Sequence, residues 1–443
     1  MKKRFLSLML AAVTAASMCG CASTPAAPAQ TDETAPDTGS EVSEGSEVSE
    51  GSEGNEESAP EKDASAVKIG AILVGDENEG YTYAHIDGIK KAAAAVGIPE
   101  ENIIWKYSIP EDESCYDAAI DLVDQGCTAI FSNSYGHQSF MQQAAGEEPD
   151  VQFVAMTGDT AAMSGLANFS NAFTNVYEAR YVSGIVAGMK IKELVDDGKI
   201  AAENMDSDGN VKIGYVGAYP YAEVVSGYTA FYLGAKSVYE KVSMEVIYTN
   251  SWFDIAAEGE AANSLMSDGC VIIGQHADST GAPTAIQAAL DSGKVAYSVG
   301  YNVDMLNVAP TAALTSATNN WSVYYTDAFN AVLAGEKIPT DWSKGYADGA
   351  VAITTLGPSC AEGTEEAVDS AIAAIKDGSL HVFDTSKFTV GGQPVTTAMV
   401  DMDGDFENDD EEAVSDGYFH ESELRAAPSF YLRIDGITEL ISE

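Results

Sequence analysis

From Lys68 onward, short apolar runs alternate with amphipathic segments. Lys68 to Val74 is rich in Ile, Leu and Val and stops at Gly75 and Asp76, the pattern of a parallel strand buried on both faces. A helix should start near Gly80, because Ile86, Ile89, Ala93 and Val96 recur at helical spacing and leave Tyr81 in the first turn. The same alternation predicts strands at Ala129–Phe131 and Val151–Met156 and helices at Tyr116–Gln125 and Gln138–Ala145. A second series begins at Val211, with helices at Val224–Val238 and Ile255–Met266 and strands at Val242–Tyr248, Cys270–Gly274 and Val295–Val299.

Between the two series, Tyr177 to Glu193 reads as a long helix crossing between lobes, with Gly184 and Gly188 admitting a close neighbour. Tyr301 to Thr315 is expected to return the chain, Trp321 to Leu333 to form another helix, and Gly349 to Pro358 to cross again. The expected fold class is α/β, with two doubly wound βα lobes joined by hinge crossovers. Lobe 1 would take residues 66–176 and 302–335, lobe 2 residues 177–301 and 336–358, with an acidic extension at 359–443. A cleft between such lobes is a usual place for a small ligand, and open α/β sheets bind theirs beyond the carboxyl ends of the strands.

The beginning of the chain follows other rules. Lys2, Lys3 and Arg4 precede an apolar run from Phe5 to Met18 that is too short to span a bilayer as a helix and reads as an export signal. Met18-Cys19-Gly20-Cys21 resembles a bacterial lipobox, which would end the signal at 1–21 and leave Cys21 as an acylated first residue. Residues 22–65 are Ser, Glu, Gly, Pro and Ala with almost no apolar content, a tether reaching ~35–40 Å as a flexible coil.

Charge narrows the partners. The chain of 443 residues carries 69 acids against 22 bases, a formal charge of −47, which argues against nucleic acid and against an anionic membrane surface. Its arginines are Arg4, Arg180, Arg425 and Arg433, so few groups are available to clamp a phosphate or carboxylate, and a neutral ligand fits better. Cys115, Cys127, Cys270 and Cys360 show no Cys-x-x-Cys spacing, which speaks against a metal site, while a Cys115–Cys127 disulfide stays open. Asp401 to Glu412 matches an EF-hand loop at positions one, three, five and twelve but places Phe406 where the turn needs Gly. A solvated acidic loop is the plainer reading.

Several segments carry a resemblance to a known family: GDENEGYTYAHIDG at Gly75–Gly88, EARYVSGIVAGM at Glu178–Met189, NSWFD at Asn250–Asp254, and GQHADSTGAP at Gly274–Pro283. KIGYVGAYPYAEVVSGYTAFYLGAKSV at Lys212–Val238, SVGYNVDM at Ser298–Met305 and LTSATNNWSVYYT at Leu314–Thr326 continue it. Together they resemble the basic membrane protein family of ABC-transporter substrate-binding lipoproteins, receptors for purine nucleosides and, in one branch, for free purines. The resemblance implies a type I periplasmic-binding fold and a monomeric receptor without cofactor or metal, partnered by an ABC permease and its ATPase. It also implies that Tyr81 and Trp252 sandwich the purine, since their motif positions match the two stacking aromatics. Asp76, Tyr135, Glu223, Asp254, His276 and Asp278, just past predicted strands or in the matching turns, would then read the base edge. Asp76 and Asp254 equally suit helix N-caps, and Glu178 suits a structural partner. The positions where nucleoside binders hold the ribose with Asp and Lys fall on Asn302 and Asn319, with Trp321 close by, and Tyr81 to His85 resembles the free-purine branch.

Two other classes remain. A purine sensor signalling to a membrane partner would need the same cleft, whereas a hydrolase would need a base such as Asp76 or Asp278. No Gly-x-Ser-x-Gly elbow, P-loop or His-Glu-x-x-His supports the enzyme.

Overall fold

The computed structural model describes residues 62–402 and 407–440. Cys21, most of the tether and part of the acidic loop therefore lie outside the described residues. The first series forms strands β1 (Ile69–Ile72), β2 (Ile103–Lys106), β3 (Ala129–Ser132), β4 (Gln152–Met156) and β5 (Phe169–Thr174). The second forms β6 (Val211–Gly217), β7 (Val242–Tyr248), β8 (Ile272–Gln275), β9 (Tyr297–Tyr301) and β10 (Ala313–Asn319), followed by β11 (Asp341–Lys344) and β12 (Val351–Ile353). In the first lobe, helices α1 (Gly80–Val96), α2 (Ser114–Asp124), α3 (Gln138–Glu147) and α4 (Ala161–Ser164) alternate with the strands. Helix α5 (Val176–Asp196) leads into the second lobe, which adds α6 (Ala222–Val238), α7 (Ile255–Ser267) and α8 (Gly281–Asp291). The last two are α9 (Trp321–Ala334) and α10 (Thr364–Lys376).

One sheet has the order β11-β5-β4-β3-β1-β2, and the other runs β12-β10-β9-β8-β6-β7 and ends on a terminal strand at Ile437–Glu439. Interior β1 pairs in parallel with edge strand β2 and with β3 and is buried along its whole length, as its unbroken apolar run requires. Ile89 of α1, Phe131 of β3 and Trp321, Tyr324 and Phe329 of α9 fill one side of the first sheet. Leu122 of α2 and Met141 of α3 fill the other. The second sheet is covered by α5 and α6 on one face and by α7 and α8 on the other.

The lobe limits differ from the expected ones. β10, expected with lobe 1, is buried and pairs in parallel with β9 in the second sheet. The return therefore falls at Asn319–Trp321 and not at Tyr301–Thr315. β11, expected with lobe 2, is the edge of the first sheet, because Trp342 buries its ring against Tyr324 of α9. The crossovers lie at Thr174–Val176, Asn319–Trp321 and Lys344–Val351. They are bonded to one another: Asn175 N–H donates to the Lys344 carbonyl at 2.8 Å, and Asn320 N–H to that of Ala350 at 2.8 Å. Glu178 is a bracket of this hinge, its carboxylate accepting the Tyr346 N–H at 2.7 Å.

Residues 359–443 were expected as an appended acidic segment, and their described part folds onto lobe 2. Val382, Phe383, Phe388, Phe419 and Phe430 share one core with α5 and α6, and Ile437–Glu439 pairs in parallel with β7. Around the acidic loop, Met399–Val400 pairs antiparallel with Glu411–Glu412 where an EF-hand would have helices. The Glu412 carboxylate is taken up by the Ala398 and Val414 N–H groups, so the twelfth-position ligand is occupied by backbone. Cys115 and Cys127 are free buried thiols, not a disulfide, and burial pushes their pKa values up to about 12 and about 11.

Candidate functional site

The carboxyl ends of both sheets face one another across a cleft of about 440 Å³, within the ~300–1,000 Å³ of small-molecule sites. Lobe 1 supplies Asp76 after β1, Tyr81 in the first turn of α1, Asn133 to Tyr135 after β3, Thr157 after β4 and Phe173 from β5. Lobe 2 supplies Glu223 at the start of α6, Trp252 and Phe253 after β7, His276 and Asp278 after β8, and Tyr301 at the end of β9. Trp321, at the crossover into α9, closes the hinge side. The walls stand close together. A Cβ built on Gly80 of α1 would lie 3.2 Å from Val303 of the other lobe, and the Tyr135 and Tyr221 rings meet across the gap at 6.4 Å.

Each aromatic wall is braced. Tyr81 donates its hydroxyl to the Asn133 carbonyl at 2.5 Å and meets His85 edge-on at 4.7 Å, while His85 stacks on Trp321 at 4.5 Å. Trp252 is half-buried, with Tyr219 edge-on at 5.3 Å and its carbonyl accepting the Asp278 N–H at 2.8 Å. That bond ties the aromatic loop to the acidic one.

The polar groups form a chain. Asp278 accepts from Asn302 Nδ2 at 2.6 Å, Asn302 Oδ1 accepts from Asn319 Nδ2 at 3.0 Å, and Asn319 Oδ1 accepts from Thr174 at 2.5 Å. The row runs from cleft to hinge. Burial raises the Asp278 pKa well above the usual range, the charges of Glu79, Glu258 and Glu223 add to this, and Arg180 opposes it. His276 Nε2 lies 3.1 Å from Glu223 Oε1, and burial and then the Arg180 charge lower its pKa to about 4. A neutral His276 then donates to the carboxylate. Behind this wall the Arg180 guanidinium lies 3.9 Å from the Tyr301 ring centre and donates to Tyr215 and to the Gln275 carbonyl.

Of the residues singled out in the sequence, Asp76, Tyr81, Tyr135, Glu223, Trp252, His276, Asp278 and Trp321 line the cleft. Asp254 does not. It is exposed and caps α7, accepting the Ala256 and Ala257 N–H groups. Nor do Asn302 and Asn319 reach the main wall; they bond each other and border a separate hollow of about 240 Å³ with Tyr83 and Asp87. Sequence reasoning missed Phe173 and Tyr301, which look like strand core, and Asn133, whose place directly after a strand was a usable signal. The lining combines aromatic faces with carboxyl acceptors and, among the described residues, has no Lys or Arg. It suits a flat, neutral ligand rich in N–H donors.

Residues 66–379 match the family model described as ABC transporter substrate-binding protein, PnrA-like. The chain belongs to this family. Its function is thus that of a substrate-binding protein of an ABC transporter, which implies a small-molecule ligand and a permease partner. Among similar proteins, the purine-binding protein of Brucella abortus is 31% identical over 318 residues, covering 72% of this chain and 83% of that one. A putative ABC transporter glucose-binding protein of Haloferax volcanii is 28% identical, covering 70% and 72%. An ABC transporter solute-binding protein from Aeropyrum pernix superposes with a TM-score of 0.58 at 13% identity over 72% of this chain and 93% of its own. That likeness establishes the periplasmic-binding fold. Among the described residues, no helix is long and apolar enough to cross a membrane.

Proposed function

We propose that the cleft binds a purine, as the free base in preference to the nucleoside, and that a chain acylated at Cys21 presents it to an ABC permease. The observation that carries this reading is the presence of Tyr81 and Trp252 on opposite lobes of one cleft, with the Asp278 carboxyl buried beside them. A purine has two π-faces, and each stacked aromatic contributes ~1–3 kcal/mol. Glu223 accepts from ring N–H or amino groups, and the Asp278 carboxyl, whose raised pKa favours its protonated form, also has an O–H to donate to a ring nitrogen. The Brucella relative named for purine binding supports the same ligand class. The free base is favoured because Asn302 and Asn319 spend their amides on each other and on Asp278, away from the main wall. An added ribose would bring hydroxyls that need partners.

Calorimetry with adenine, hypoxanthine, their nucleosides and glucose tests this. Adenine or hypoxanthine should bind at least as tightly as its nucleoside, and Trp252→Ala should weaken binding by ~1–3 kcal/mol, up to about a hundredfold. A tenfold nucleoside preference would overturn the free-base choice. Tight glucose binding with no purine binding would overturn the purine reading itself, and the Haloferax relative is named as a putative glucose-binding protein.

A further inference from the structure

The family match stops at residue 379, yet the chain continues into a folded segment that touches both lobes. Residues 421–430 are held firmly by lobe 2. Tyr177, at the start of α5, donates its hydroxyl to the Glu421 carbonyl at 3.2 Å. The buried Glu421 carboxylate accepts the Ser429 and Phe430 N–H groups at 2.9 and 2.8 Å, closing the segment on itself. Phe430 stacks on Phe383 at 4.2 Å inside the second-lobe core.

From this base the segment reaches lobe 1. Ala426 N–H donates to Asp341 Oδ2 at 2.6 Å, and Asp341 opens β11, the edge strand of the first sheet. Burial raises the Asp341 pKa, while the Ala426 N–H and the Arg425 charge pull it the other way, so the contact favours the ionised carboxylate. We propose that residues 421–427 are an inter-lobe strap, fixed in lobe 2 and latched onto Asp341, that biases the two lobes toward the closed arrangement.

The geometry explains why such a latch would respond to opening. Asp341 lies three residues before the crossover that begins after Lys344, ~10 Å away at strand rise. A lobe rotation of about 15° about the crossovers would displace it by ~2–3 Å, enough to break a hydrogen bond. Closure already brings Gly80 against Val303 and Tyr135 toward Tyr221, so the latch and the cleft contacts form together. Holding the closed form in advance raises the binding-competent fraction and slows ligand escape.

Small-angle scattering on the ligand-free full chain decides the matter, with wild type compared to Asp341→Ala and Asp341→Asn. Asp341→Ala, which removes the acceptor, should have the larger radius of gyration, and Asp341→Asn, which keeps an acceptor oxygen, should fall between. Stopped-flow dissociation of adenine should be ~3–10-fold faster for Asp341→Ala. An identical radius of gyration for wild type and Asp341→Ala overturns the strap. Scattering is read without ligand, so its outcome is independent of whether the cleft takes a purine.

Discussion

Glu258 never reaches the cleft, yet it holds the loop that carries Asp278. It is fully buried on α7, and its carboxylate accepts the Ser279 N–H at 3.1 Å and the Asp254 N–H at 3.2 Å. Burial pushes its pKa up to about 7, against the Ser279 bonds that favour the charge. The folded state therefore keeps a proton that the unfolded chain releases above its ordinary value near 4.5. The stabilising contribution is complete below that value and is lost as pH rises from about 4.5 to about 7. Glu258→Gln cannot ionise, so its stability relative to wild type should rise across this window. Urea unfolding at pH 5 and pH 7.5 measures it, and a difference that does not grow with pH would count against the assignment. At this scale the sequence told only part of the story. Tyr81 and Trp252 were legible as cleft-lining positions because strand ends and motif matches coincide there. Asn302 and Asn319 were misplaced because a motif position says nothing about which neighbours already satisfy the side chain, and here each amide finds the other.

Helices α5 and α6 meet closely enough that glycine is a steric requirement. A Cβ on Gly184 would lie 2.1 Å from the Phe231 carbonyl oxygen, and one on Gly234 would lie 2.0 Å from that of Tyr181. These are backbone atoms on both sides, so neither helix can yield without shifting as a whole. Gly184→Ala should cost ~1–3 kcal/mol or more, seen as a lower midpoint in chemical denaturation. An unchanged midpoint would mean that the helices are looser than this packing. The close approach was readable from Gly184 and Gly188 alone, and most strands and helices were readable from apolar periodicity. The sheet to which β10 and β11 belong was not. A short apolar strand carries no mark of which sheet it joins, and only packing partners such as Tyr324 against Trp342 decide it. The two-residue pairings of the C-terminal region, such as Val414–Ser415 with Tyr418–Phe419, are too short for any periodic signal.

Taken whole, the molecule is a binding body whose proposed attachment depends on Cys21. Replacing Cys21 with Ala should shift the protein from the membrane fraction to the soluble extracytoplasmic fraction with its ligand affinity unchanged. Retention of the variant on the membrane would mean that another segment anchors it. The terminal strand Ile437–Glu439 bears on the molecule's assembly. It pairs with β7 through Ile437 and Met244, positions 193 residues apart, and Glu439 accepts the hydroxyls of Tyr228 and Tyr248. At ~5–20 residues per second, a ribosome needs about 10–40 s to make the intervening chain. For that interval β7, in any chain that has already paired it with β6, is an unpaired sheet edge, open to any other extended chain that meets it. Synthesis that pauses within this stretch should therefore favour aggregation, and keeping the nascent chain from folding early guards the second lobe against its own edge.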